Sequence, residues 1–218
     1  MQLRQLTWPK ALTDKNHDKA VAELRTYFGL DNGKPLTGAS FERLGGGGDR
    51  TEVRDVIKAE DVVAVSMLSI DFSAGAALQI LQTDSRRISD LLYQIPTDSD
   101  LVDVDPQQIN TSWPAWQLWS QLIAVPGLGW VTTNKLLARK RPRLLPVYDS
   151  VVRKEVGAPK SYWIALNHDL GAEDKALYRQ LLAIRDAAGV GDDISALRVF
   201  DIVTWSIGRG RRTSRDGE

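Results

Sequence analysis

A chain of 218 residues with 43% hydrophobic side chains can bury a sizeable core, which excludes a disordered protein. Lysine plus arginine and aspartate plus glutamate stand at 28 each, so net charge alone points to no polyanionic partner. The sequence has no cysteine, which removes disulfides, thiolate zinc sites, cysteine-ligated iron–sulfur clusters and cysteine nucleophiles, and its imidazoles, His17 and His168, suggest no metal site.

The start, "MQLRQLTWPKALTDK", lacks the apolar core of a signal peptide, and no run reaches the roughly 18 apolar residues of a membrane span. The expectation is a soluble cytoplasmic protein with no membrane partner. Apolar positions recur at helical spacing in nearly every segment and no alternating strand pattern competes, so the fold class reads as all-α. Asp18 to Phe28 forms a first amphipathic helix with Ala20, Val21, Leu24, Tyr27 and Phe28 on its apolar side, and Gly29 stops it. Residues 29–50 carry seven glycines and read as loop, with a short helix around Phe41 to Leu44. A second helical stretch opens near Ala59, where Glu60 and Asp61 suit a helix N-terminus. It is apolar almost all round, the pattern of a central core element, and Asp71 to Gly75 break it in two.

Asp84 is placed to cap the helix "SRRISDLLYQI". The acidic "PTDSDLVDVDPQQINTS" is an irregular connection, after which Ser112 and Pro114 begin a helix that Pro126-Gly127 ends. A helix from about Trp130 to Arg139 follows, then a short one from Asp149 to Val156. Ser161 to Leu170, Ala172 to Ala187 and Ile194 to Trp205 complete the set, and "RGRRTSRDGE" reads as a polar tail. The simplest organisation is an N-terminal helix and glycine-rich loop (1–58), one compact helical domain (59–208) and the tail (209–218).

Charge is unevenly spread along this chain. Between Ile88 and Asn134 there is no basic residue, whereas Asp90, Asp98, Asp100, Asp103 and Asp105 are acidic. From Lys135 to Lys154 the sign reverses: Lys135, Arg139, Lys140, Arg141, Arg143, Arg153 and Lys154 face the single acid Asp149. Such asymmetry suits an anionic ligand on one face; it equally suits the cations expected at a helix C-terminus. Directly before it, "VPGLGWVTTN" ends one helix and starts the next at once. Gly127 and Gly129 allow backbone conformations closed to other residues, and the amides of Gly129, Trp130 and Val131 would favour an anion at the helix N-terminus. A plain αα-hairpin uses the same glycines.

The block "VPGLGWVTTNKLLARKRPRLLPVYDSVVRKEVG" resembles the core of the helix-hairpin-helix DNA glycosylase superfamily. The hairpin is Val125 to Gly129, the helix start Thr132-Thr133, and the matching aspartate Asp149, twenty positions after Gly129. The resemblance is specific over 125–157 and weaker upstream, where "EDVVAVSMLSI" and "AGAALQIL" look like the superfamily's early core helices. It implies a compact helical domain with a helix-hairpin-helix motif, DNA as partner, and excision of a modified base in DNA repair. No cofactor is implied beyond a monovalent cation at the hairpin. Strand-cleaving members carry a lysine nucleophile where this chain has Val131, so the resemblance implies a monofunctional hydrolase that uses water. Most of the chain also resembles a bacterial family known only as a domain of unknown function, through "FERLGGGGDR", "AVSMLS" and "KLLARKRPRLLPVYDSVV".

Hydrolysis of an N-glycosidic bond builds positive charge on the sugar, so a carboxylate can stabilise it and orient or deprotonate water. Asp149 is the candidate for that role, and it is also a good helix N-cap whatever the function. Backbone and side chains of Gly127, Gly129, Trp130, Val131, Thr132, Lys135, Arg139, Arg153 and Lys154 are the candidate DNA contacts, the cations setting affinity more than base choice. Trp130, Tyr148 and Trp113 are candidates for the walls of a pocket for a flipped base. The Gly45 to Gly48 run lacks the G-x-x-x-x-G-K-[ST] pattern of a phosphate loop and reads as a flexible loop, with Arg43 and Arg50 as further candidate contacts. The alternative to an enzyme is a non-catalytic helix-hairpin-helix protein that clamps nucleic acid.

Overall fold

Helix-forming periodicity is realised throughout the computed structural model, which describes residues 5–14 and 16–215 and has no strand among them. The helices are α1 (Lys10–Thr13), α2 (Asp18–Phe28), α3 (Ala59–Ser66), α4 (Ala74–Leu78), α5 (Ser85–Tyr93), α6 (Pro114–Ile123), α7 (Trp130–Lys140), α8 (Ser150–Val156), α9 (Tyr162–Ala188) and α10 (Ala196–Arg215). A π-helical turn, Gln79–Thr83, follows α4. The fold class is all-α, and no helix among the described residues is long and apolar enough to cross a membrane. The chain divides into two units, each discontinuous: one comprises 1–36, 101–106 and 148–218, the other 37–100 and 107–147.

In the first unit α2, α8, α9 and α10 pack around Leu24, Val152, Leu166, Leu181, Phe200 and Val203, all buried. Gly29 ends α2 in the left-handed region, φ 69°, where its N–H and that of Leu30 close on the last carbonyls. The indole of Trp8 packs at 4.6 Å on Phe200, and its Nε1 donates to the fully buried Asp169, which also accepts from the Gln5 and Leu6 amides. Helix α9 is interrupted at Ala172 to Lys175, where Glu173, Asp174 and Lys175 have positive φ, close to where the sequence divides into two helices. Helix α10 runs on to Arg215, so residues 209–215 of the polar tail are helical; 216–218 lie outside the described residues.

The second unit holds α3 to α7 around Val65, Ile80, Ile88, Leu118, Leu122, Leu136 and Leu137. The segment opening at Ala59 is not buried all round: α3 stops after eight residues, and Val63 and Leu78 are exposed. Asp84 holds the N-cap position of α5 without capping it, because its Oδ2 accepts instead from Gln79 Nε2 at 3.0 Å.

The basic run is the framework of this unit. Asp61, fully buried, caps α3 by accepting from the Lys58 amide at 2.9 Å. Its two oxygens also accept from Arg139 Nε and from Lys140 Nζ, each at 3.1 Å. The Arg139 guanidinium donates further to the carbonyls of Phe41, Glu42 and Leu44. Arg141, also buried, donates to the carbonyls of Leu92, Ile95 and Arg54 and to Asp55. Buried charges of this kind hold only when paired and hydrogen-bonded, and these are. Burial pulls the Lys140 ammonium below its ordinary range, and Asp61 opposes that pull.

Candidate functional site

Helix α6 ends after Ile123, and a turn through Val125 to Gly129 leads straight into α7. Leu128 donates its amide to the Val125 carbonyl and is buried at 4% exposure, so the apolar residue between the glycines anchors the turn. Gly127 has φ +89°, and a Cβ there would approach Ser73 Oγ to 2.7 Å; both conformation and space demand glycine. Gly129 has φ −77°, which any residue adopts, and a Cβ there would meet nothing. It is exposed at the N-cap of α7 and, as glycine, brings no side chain to cap the helix start.

The rest of α7 departs from the sequence expectation. Trp130 and Val131 are half-buried and Thr132 is buried. Lys135, expected to reach a phosphate, is 4% exposed and donates Nζ to the Leu68 carbonyl at 2.9 Å. Arg139, expected in the same role, is 2% exposed and held by Asp61 and three carbonyls. Both are corrected from surface contacts to interior struts. Trp113 is half-buried at the N-cap of α6.

The glycine-rich run has a structural purpose in this arrangement. Gly45, Gly46 and Gly47 take positive φ, and this fold turns the carbonyls before them onto the Arg139 guanidinium. Arg50 pairs with Glu60, and a Cβ on Gly48 would come within 2.5 Å of the Arg139 carbonyl. The run wraps an internal arginine.

Asp149 is the second residue of the portion of the first unit that returns after the second; the division falls between Val147 and Tyr148. It caps α8, its Oδ1 accepting from the amides of Val151 at 2.9 Å and Val152 at 3.0 Å, and it is 7% exposed. Beside it Tyr148 stacks on Tyr162 with centroids 3.7 Å apart, and the Tyr148 hydroxyl donates to the Gly157 carbonyl at 2.9 Å. The Tyr162 hydroxyl is buried and makes no hydrogen bond among the described residues. Burial, reinforced by the Asp201 carboxylate, Tyr148 and the Asp149 carboxylate, raises it well above the ordinary tyrosine range. Asp201 is itself buried and pairs with Arg198, which also donates to the Tyr27 hydroxyl at 2.8 Å. Burial likewise raises Tyr148, with Arg153 opposing.

Arg153 and Lys154 project into solvent from α8. Helix α10 crosses α8 closely at Gly208, where a Cβ would meet Val151 at 2.7 Å and Glu155 at 3.0 Å. Directly beyond that crossing Arg209 is exposed, its guanidinium 5.2 Å from the Trp205 ring centroid. Of the candidate residues, the structure thus gathers Tyr148, Asp149, Arg153 and Lys154 on and around α8. It gathers Gly127, Gly129, Trp130, Val131 and Thr132 at the start of α7. Sequence reasoning missed Tyr162, at the start of α9, and Asp201 and Arg209 on α10. The basic "GRGRR" was the available signal for the last of these.

Among the described residues no group of three or more His, Asp or Glu side chains is arranged to hold a metal ion. No curated protein and no solved structure matches the chain, and the glycosylase resemblance of 125–157 gains no support from them. Residues 20–208 match the family of unknown function DUF6308, and the chain belongs to that family.

Proposed function

We propose that this protein binds nucleic acid through the exposed basic face of α8 and the adjoining end of α10. The observation that carries the reading is the placement of Arg153, Lys154 and Arg209 in solvent beside the α8–α10 crossing, while Lys135 and Arg139 are turned inward. Solvated cations on adjacent helices suit phosphate oxygens, and buried cations that already hold carbonyls do not. Arg211 and Arg212 continue α10 and extend the run of positive charge in sequence. The N-terminus of α7, with the exposed Gly129 at its N-cap, supplies a second phosphate-compatible feature in the other unit.

The test is an anisotropy titration of labelled duplex and single-stranded DNA at two salt concentrations. Saturable binding that weakens steeply with salt is expected; absence of binding at low salt overturns the reading.

A catalytic form of the same function has its own support. Asp149 sits with Tyr148, Tyr162 and Asp201 in a cluster that combines carboxylates with stacked rings, and Asp149 is the residue the glycosylase resemblance marks for N-glycosidic hydrolysis. Because both cap bonds fall on Oδ1, the carboxylate is oriented by the helix it starts. Base release from a panel of modified duplexes by the natural protein, abolished by Asp149→Asn, is the expected result for an enzyme. Binding without release on every lesion would establish the non-catalytic clamp instead.

A further inference from the structure

We propose that the cavity between α5 and α6 is a binding site for a nucleoside. It measures about 760 Å3, lies wholly within the second unit, and has the π-helical turn and α5 on one side and α6 on the other. The proposal does not use Asp149 and stands apart from the basic face of α8.

Gln121 lines the cavity from α6, and its amide Oε1 and Nε2 are both closed off from solvent with no hydrogen-bond partner among the described residues. An unmet buried amide is unfavourable, and binding would require a rotation about the side chain's own torsions to bring it to the cavity. There it presents an acceptor beside a donor, the complement of a heterocycle edge that carries a donor beside an acceptor. Trp116, on the same helix, adds an indole to the wall, a surface on which a planar ring stacks. From α5, Asp84 and Asp90 flank Arg87 at three-residue spacing, so two carboxylates stand against one guanidinium. Carboxylates accept from ribose hydroxyls and repel phosphate, which selects a nucleoside over a nucleotide. Gln79, the first residue of the π-helical turn, holds Asp84 Oδ2 at 3.0 Å and fixes that carboxylate at the wall. Single π turns inside helices recur at functional sites.

The same heterocycle edge is also carried by a base within a strand, and the experiment separates the two sources. The full chain is titrated with adenosine, uridine, AMP and a ten-nucleotide deoxyadenosine strand, following tryptophan fluorescence and the Gln121 side-chain amide resonances. One of the two nucleosides is expected to saturate and to shift those resonances, with AMP and the strand at least tenfold weaker. Gln121→Met is expected to weaken nucleoside binding at least tenfold while leaving the melting temperature unchanged or higher. The proposal is overturned if neither nucleoside binds, if the strand binds and the nucleosides do not, or if Gln121→Met binds like the natural protein. A lower melting temperature for Gln121→Met also overturns it, because the amide would then have a structural partner.

Discussion

At the scale of single residues, Tyr162 and Asp149 separate what a group does for stability from what it could do for chemistry. The Tyr162 hydroxyl is buried without a hydrogen bond among the described residues, so Tyr162→Phe removes an unmet polar group and keeps the ring stacked on Tyr148. A gain of about 1 kcal/mol is expected in urea denaturation at neutral pH. The pH dependence has a definite sign. The folded state holds the phenol proton to higher pH than the unfolded chain, whose tyrosine ionises near about 10. Above that pH the unfolded state binds fewer protons, so the natural protein loses stability as pH rises toward the folded value. Tyr162→Phe is expected to lack this part of the alkaline loss, and melts at pH 8 and above pH 10 compare the two slopes. Asp149 offers the complementary experiment. Asp149→Ala removes a cap that takes two amides and should cost about 1 kcal/mol, whereas Asp149→Ser keeps a capping oxygen and recovers most of it. Base release lost equally in both, on top of that difference in stability, would assign the carboxylate a chemical part beyond the cap.

At the scale of elements, the glycine-rich run and the basic run form one device, because the carbonyls turned out by the first are the acceptors for the second. Gly48→Ala forces a Cβ against the Arg139 carbonyl and is expected to destabilise by about 1–3 kcal/mol, the range for overpacking. Gly75→Ala, in α4 with open space at its Cβ, should stabilise by about 0.5–1 kcal/mol. Thermal melts of the two variants therefore move in opposite directions if the run is a fitted wrap around arginine. Helix starts and stops were legible in the sequence because their signals are local: Gly29 ends α2, Pro114 opens α6 and Asp149 caps α8. The orientation of the cations was not. A run of charge in sequence says nothing of which charges find partners, and Asp61 lies 78 residues from Arg139. Nor could spacing reveal Tyr162 and Asp201 beside Asp149, since helices α9 and α10 bring them there through packing that no local period encodes.

For the whole molecule, the balance of 28 cationic and 28 acidic residues conceals two populations of positive charge. Lys135, Arg139, Lys140 and Arg141 are internal to the second unit and hold it together, whereas Arg153, Lys154 and Arg209 stand in solvent on the first. The two populations should respond to mutation in opposite ways. Arg139→Met removes one of the two cations that hold the buried Asp61 and strands three carbonyls in a buried setting, and a loss of about 3–5 kcal/mol is expected. The double variant Arg153→Ala, Lys154→Ala touches only exposed side chains and should stay within about 0.5 kcal/mol of the natural protein. If these two cations meet phosphates, the slope of log affinity against log salt falls in magnitude by about 1.8, since each phosphate neutralised on duplex DNA contributes about 0.9. Sequence preference should be unchanged, because phosphate contacts carry no base information. A double variant that binds duplex DNA with an unaltered salt slope would move the interface off α8, leaving the start of α7 as the phosphate-facing element.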